Sequence, residues 1–110
     1  MKIYLDNLRT PLDNSWFIIR SHHDFIHKIS TSFNQIECIS FDDDLGGEKT
    51  GFDCAKYLIE YCMKNNLTPP QTYVHSANSV ERENIILSIN GYLHFIEETP
   101  NCKWISIEHF

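Results

Sequence analysis

Basic residues are scarce in this chain: 9 lysines and arginines stand against 15 aspartates and glutamates, a formal net charge of −6 with histidine neutral. A surface of that sign repels long duplex DNA or RNA and releases few counterions, so duplex binding is not expected. A short nucleotide, or an RNA end held through a bound cation, remains compatible with it. Long apolar runs are missing too. The opening stretch MKIYLDNLRT has one lysine and a short apolar segment broken by Asp6, which suits neither a signal peptide nor a membrane span. The expected location is the cytoplasm. Cysteine is sparse: Cys38, Cys54, Cys62 and Cys102 form no CxxC pair, so reduced core thiols are expected rather than a zinc site or a disulfide framework. Internal repeats, linkers and low-complexity segments are also lacking. A 110-residue chain with 42% hydrophobic and 13% aromatic residues can fill one core, and a single domain over residues 1–110 follows.

What is present is a regular alternation of strand and helix signals. Residues 2–5 form a β-prone run ending at Asp6, and a turn-rich segment with Pro11, Asp13 and Asn14 follows. Residues 16–20 (WFIIR) are a second strand. Ser21-His22-His23-Asp24 has capping-box spacing, and Phe25, Ile26, Ile29 and Phe33 follow at helical intervals. Residues 36–41 (IECISF) read as a buried strand running into Asp42-Asp43-Asp44. Thr50-Gly51-Phe52-Asp53 is a second capping box, and Ala55, Leu58, Ile59, Cys62 and Met63 then form one helical stripe. Residues 72–75 are a strand, residues 79–96 a helix burying Ile85, Ile86, Ile89 and Leu93, and residues 104–107 a last strand. Trp16, Phe17 and Phe41 are expected in the core. The order predicts an α/β fold in three layers, a parallel sheet of about five strands covered on both faces. About ten residues separate the first two strands, so that crossover helix is shortened or lost.

In an open α/β sheet, ligands bind beyond the carboxyl ends of the strands. The residues placed there are Asp6, Asn7 and Arg9, then Asp42, Asp43 and Asp44, then His75, Ser76 and Asn78. Asp6 and Asp42 at one rim repel unless a cation or proton lies between them. Such oxygen ligands suit Mg²⁺ or Mn²⁺, which keep several waters and bridge to a substrate phosphate. The same aspartates are also what turns and helix caps use after a strand. His75 and Ser76 offer a proton-transfer group and a hydroxyl for a phosphate oxygen, or a half-buried structural histidine and a turn serine. Asn78 with Glu81 has cap spacing, which aims backbone N–H groups toward the rim. Arg9 and Arg82 are candidate phosphate clamps, or surface arginines paired with a local acid. His22, His23, His94 and His109 have no partners at ligand spacing.

Three ordered blocks, KIYLDNLRTP, ISFDDDLGGEKTGFD and VHSANSVERENI, resemble the cyclic-phosphate-processing receiver-like family (cREC), related to response-regulator receiver domains. That family's pattern is hxLDDxRxP, hSLDHDLG…TGxD and HSxNxxGRxxM, with h apolar, and the likeness runs from Met1 to about Ile86. The resemblance implies a flavodoxin/receiver-like sheet and action on cyclic phosphates, with links to RNA-end repair. Under it Asp6 falls on the first acidic position, Asp42 on the acid that a receiver phosphorylates, and Asp44 on the following Asp. Thr50, Gly51 and Asp53 fall in TGxD, and His75, Ser76 and Asn78 in HSxN, with Ser76 on the receiver's hydroxyl position. Arg82 matches the family arginine. Asn7 replaces an acid, Asp43 a histidine and Glu81 a glycine. No lysine follows the last strand, since Lys103 precedes it, which disfavours ordinary phosphotransfer signalling. The expected function is a divalent-metal phosphodiesterase that opens a cyclic phosphate on an RNA end or nucleotide. Asp6, Asp42 and Asp44 would hold Mg²⁺ or Mn²⁺, Asp42, His75 and Ser76 would act in catalysis, and Arg9, Thr50, Asn78 and Arg82 would contact substrate. The alternatives are a non-catalytic module that senses or sequesters a nucleotide or docks a protein, and a phosphoacceptor at Asp42.

Overall fold

A computed structural model of the chain describes residues 1–110. The elements run β1 (Lys2–Leu5), β2 (Trp16–Ile19), α1 (His22–Ser32), a 3-10 turn (Phe33–Gln35), β3 (Cys38–Phe41), α2 (Gly51–Asn65), β4 (Gln71–Val74), α3 (Ser79–Phe95), β5 (Lys103–Trp104) and a second 3-10 turn (Ile107–His109). The five strands form one sheet in the order β2-β1-β3-β4-β5, with every neighbouring pair parallel. This is the flavodoxin-like, receiver-like order, whose direction reverses between β1 and β3. Helix starts follow the caps read from the sequence. Ser21 Oγ accepts from the Asp24 N–H, Thr50 and Asp53 make a reciprocal capping box, and Asn78 Oδ1 accepts from the Val80 and Glu81 N–H groups.

Handedness decides which face the helices take. The connections leaving β2, β3 and β4 all travel the same way across the sheet, so right-handed crossovers put α1, α2 and α3 on one face. Ile3, Leu5, Ile39, Phe41 and Val74 point to that face and join Phe25, Leu58 and Ile85 in one buried core. Only the β1–β2 connection travels the other way, and it is a loop with no helix. The opposite face, which carries Tyr4, Ser40 and His75, is therefore closed by the segment after β5. Phe110 packs edge-on against Tyr4 (5.3 Å) and Trp16 (5.1 Å), and its carbonyl accepts from the Asp13 N–H at 2.9 Å. A short irregular segment thus serves where a second layer of helix was expected.

Two core expectations change at the margins. Phe17 is 45% exposed on the edge strand β2, with Lys28 Nζ 4.2 Å above its ring, and Met63 is 54% exposed on α2. The last strand starts one residue earlier than the sequence suggests and is only two residues long, because Ser106 ends it by capping the final turn. All four cysteines are free thiols, three of them buried. No helix is long and apolar enough to cross a membrane.

Candidate functional site

Sheet register builds the site. Leu5 pairs with Phe41, and Phe41 with Val74, so the next residue of each strand, Asp6, Asp42 and His75, falls in one row. The ladder continues through them: Asp42 N–H donates to the Leu5 carbonyl, and His75 N–H to the Phe41 carbonyl, both at 2.9 Å. Carboxylate oxygens of Asp6 and Asp42 and a ring nitrogen of His75 all lie within 4.8 Å of one another, and the three residues are buried. Above them opens a cleft of about 450 Å³, lined by Asp6, Asn7, Leu8, Arg9, Asp42, Asp43, Asp44, Ser76, Ala77 and Asn78.

Asp6 accepts four hydrogen bonds. Its Oδ1 takes the Leu8 and Arg9 N–H groups, each at 2.9 Å, and its Oδ2 takes Arg9 Nε at 2.9 Å and His75 Nε2 at 3.2 Å. Burial opposes charge on Asp6, but the bonds from His75, the two backbone groups and the Arg9 side chain together hold its carboxyl well below the usual carboxylate range. Asp42 has the reverse balance. Burial first, then the neighbouring Asp6 charge, raises its carboxyl above the ordinary value despite Arg9, whose Nη2 lies 3.2 Å from Asp42 Oδ1. One guanidinium therefore spans both carboxylates. The loop carrying it is pinned from β2: Arg20 Nη1 donates to the carbonyls of Asp6 (3.2 Å) and Arg9 (2.8 Å), and Nη2 to Thr10 Oγ1 (3.1 Å).

His75 lies under the cleft and is not among its lining residues. Its side chain is fully buried, stacked on Tyr4 at 4.3 Å between ring centres, with Nδ1 2.7 Å from Ser40 Oγ. An ionised carboxylate only accepts, so Nε2 is the donor to Asp6, and Nδ1 is left to pair with the Ser40 hydroxyl. The Tyr4 hydroxyl is buried without a partner, and burial, then Asp6, pushes its ionisation up to about 12.

The remaining predicted residues divide between cleft and periphery. Ser76 is in the cleft wall, its Oγ accepting from the Asn78 N–H at 3.2 Å, and Asn78 lines the cleft while capping α3. Asp44 also lines it, its Oδ1 accepting from the Gly46 N–H at 2.8 Å, but it stands outside the Asp6–Asp42–His75 group. Thr50 is occupied in its capping box, and Arg82 lies over Trp104 at 4.7 Å; neither lines the cleft. Asp43, raised chiefly by burial, faces the cleft and accepts the Phe52 N–H at 3.2 Å. Sequence reasoning missed Ser40, Tyr4 and Arg20. A serine and a tyrosine at inward-pointing strand positions, and an arginine at the exit of the strand beside Asp6, were the available signals.

The donor set suits a hard divalent cation in kind: two adjacent buried carboxylates at an open, water-accessible rim. His75 does not add a ligand in this arrangement, since both its ring nitrogens are engaged, Nδ1 with Ser40 and Nε2 with Asp6.

The model of the cyclic-phosphate processing receiver domain family matches residues 1–91, a span that includes every residue lining the cleft. No curated protein and no solved structure matches the chain. On the strength of the family match, over a span that holds four of the five strands and the whole cleft, the chain belongs to the cyclic-phosphate processing receiver domain family.

Proposed function

We propose that this protein is a metal-assisted phosphodiesterase that opens cyclic phosphates on RNA ends or nucleotides. The observation that carries the reading is the Asp6–Asp42 pair on the cleft floor, with one carboxyl held far below and the other above the ordinary range. Carboxyls pushed apart in this way are a mark of working sites. Four aspartates line the cleft against a single arginine, so a phosphate enters it only together with a cation. Asp6 and Asp42 would hold Mg²⁺ or Mn²⁺, with Asp44 contributing from the wall. The bound ion supplies neutralisation of phosphoryl oxygens and a water of lowered pKa.

The chain's own groups then have distinct tasks. Ser76 and Asn78, which line the cleft along with Arg9, contact the phosphate and the group attached to it. Arg9 is the lining cation for the phosphate oxygens. His75, covered by Tyr4 and Phe110, acts through Asp6 as a positioning residue. The test is Mg²⁺- and Mn²⁺-dependent hydrolysis of 2′,3′-cyclic and 3′,5′-cyclic nucleotides and of short RNA with a cyclic-phosphate end. Turnover that disappears in Asp42→Asn supports the reading, and turnover unchanged in a pure Asp42→Asn preparation overturns it. One observation favours a second reading, a module that binds without turnover: no imidazole lines the cleft. Metal-dependent binding of the same compounds without product formation would mark that outcome.

A further inference from the structure

We infer that Arg9 competes with a divalent cation for Asp6 and Asp42, and that its guanidinium leaves them for the substrate phosphate when the cation takes its place. The inference rests on the metal-assisted reading above and comes from counting the acceptor sites of Asp6. A carboxylate offers about four lone-pair sites. All four on Asp6 are filled, by the Leu8 N–H, the Arg9 N–H, Arg9 Nε and His75 Nε2. An incoming cation needs at least one of them to be released.

Three of the four donors are fixed. The two N–H groups belong to a loop whose carbonyls Arg20 clamps at Asp6 and Arg9. The His75 ring packs against both Tyr4 and Phe110 and is tied to Ser40. The Arg9 side chain is the fourth, 38% exposed and held by the two carboxylates alone. It also covers one of the two carboxylate oxygens of Asp42, Oδ1, at 3.2 Å. Because Arg20 holds the main chain, the guanidinium can swing out while the rest of the loop stays in place. In the cleft it faces four aspartates, so a phosphate is the partner that replaces what it gives up. Cation and phosphate therefore favour each other's binding, with Arg9 as the link.

Mn²⁺ affinity, followed by the electron paramagnetic resonance of the free ion, tests this without any turnover. Arg9→Gln should bind Mn²⁺ about tenfold more tightly than the unmodified chain when phosphate is absent, within the usual range of such couplings. Inorganic phosphate should tighten Mn²⁺ binding to the unmodified chain and do so much less for the variant. Arg9→Lys, which keeps the charge but cannot span both carboxylates, should fall between them, and it carries the test if the glutamine variant fails to fold. Equal or weaker Mn²⁺ binding by folded variants, where the unmodified chain binds and Asp42→Asn does not, overturns the exchange and leaves the metal reading standing. Absence of Mn²⁺ binding in the unmodified chain and in both Arg9 variants at millimolar ion overturns the two together.

Discussion

Nε2 of His75 lies 3.2 Å from Oδ2 of Asp6 although 69 residues separate the two in the chain. The bond crosses over β3, and it can do so because the β3 residue beneath is a serine, small enough to let the His75 ring reach Tyr4 and polar enough to meet Nδ1 at 2.7 Å. Ser40→Ala leaves that nitrogen buried without a partner, at an expected cost of about 1–3 kcal/mol. Urea denaturation checks the figure. A change near zero would show that the ring does not depend on Ser40 for its orientation.

Asp42→Asn should make the folded protein more stable while it abolishes the proposed activity. The raised carboxyl of Asp42 contributes stability that is fully present below its unfolded pKa and is lost as pH rises through the higher folded value. At pH 7 its charge is therefore a burden, caused first by burial and then by Asp6, and outweighing the contact with Arg9. A neutral side chain of the same shape removes it, for a gain of about 0.5–2 kcal/mol. Thermal melts at pH 7 should show the variant higher, with the gap closing toward pH 4. A variant that melts lower at pH 7 would mean that the Arg9 pair dominates.

The alternation of strands and capped helices was legible because each signal is local: Thr50 and Asp53, or Ser21 and Asp24, declare a helix start within four residues. The strand register then placed Asp6, Asp42 and His75 together, as the rule about strand ends leads one to expect. What closes the second face was not legible. Phe110 stands outside any periodic pattern, and nothing local ties it to Tyr4 and Trp16. The same holds for the roles of His75 and Arg9. Residue type made His75 a proton donor at the rim, whereas its ring lies back along the sheet, stacked on Tyr4 with Nδ1 on Ser40, beneath the cleft. For Arg9 the sequence shows a cation near two acids, but only the geometry shows one guanidinium engaging both.

The buried thiols predict alkaline sensitivity. Burial pushes Cys54 and Cys62 up to about 12 and Cys102 to about 11, from 9.0. Folding therefore draws stability from keeping them neutral. That contribution is whole below pH 9 and is lost as pH rises through the folded values, at about 1 kcal/mol per thiol by pH 10. Urea midpoints at pH 8 and pH 10 should differ accordingly. In the folded state the partly exposed Cys38 should react first with a thiol reagent, and equal rates for all four would contradict the packing.

Gly47, in the loop between β3 and α2, and Gly51, the first residue of α2, should respond in opposite ways to an added side chain. A Cβ on Gly51 would lie 1.7 Å from the Asp42 carbonyl oxygen and 2.9 Å from Asp43 Cα, both main-chain atoms that cannot step aside. A Cβ on Gly47 would meet nothing within 4 Å. The close approach at Gly51 lets its N–H reach the Asp43 carbonyl at 2.6 Å and the Phe52 N–H reach the Asp43 carboxylate, so the first turn of α2 clamps the residues that follow Asp42. Gly51→Ala should therefore cost about 3 kcal/mol or more, the upper end for overpacking. Gly47→Ala should stay within about 0.5 kcal/mol of the unmodified chain. Because the clamp also aims Asp42 at the cleft, Mn²⁺ affinity measured well below the melting temperature should fall in Gly51→Ala and hold in Gly47→Ala. If the two variants melt and bind alike, α2 does not position Asp42, and the glycine in this segment has some other reason to be there.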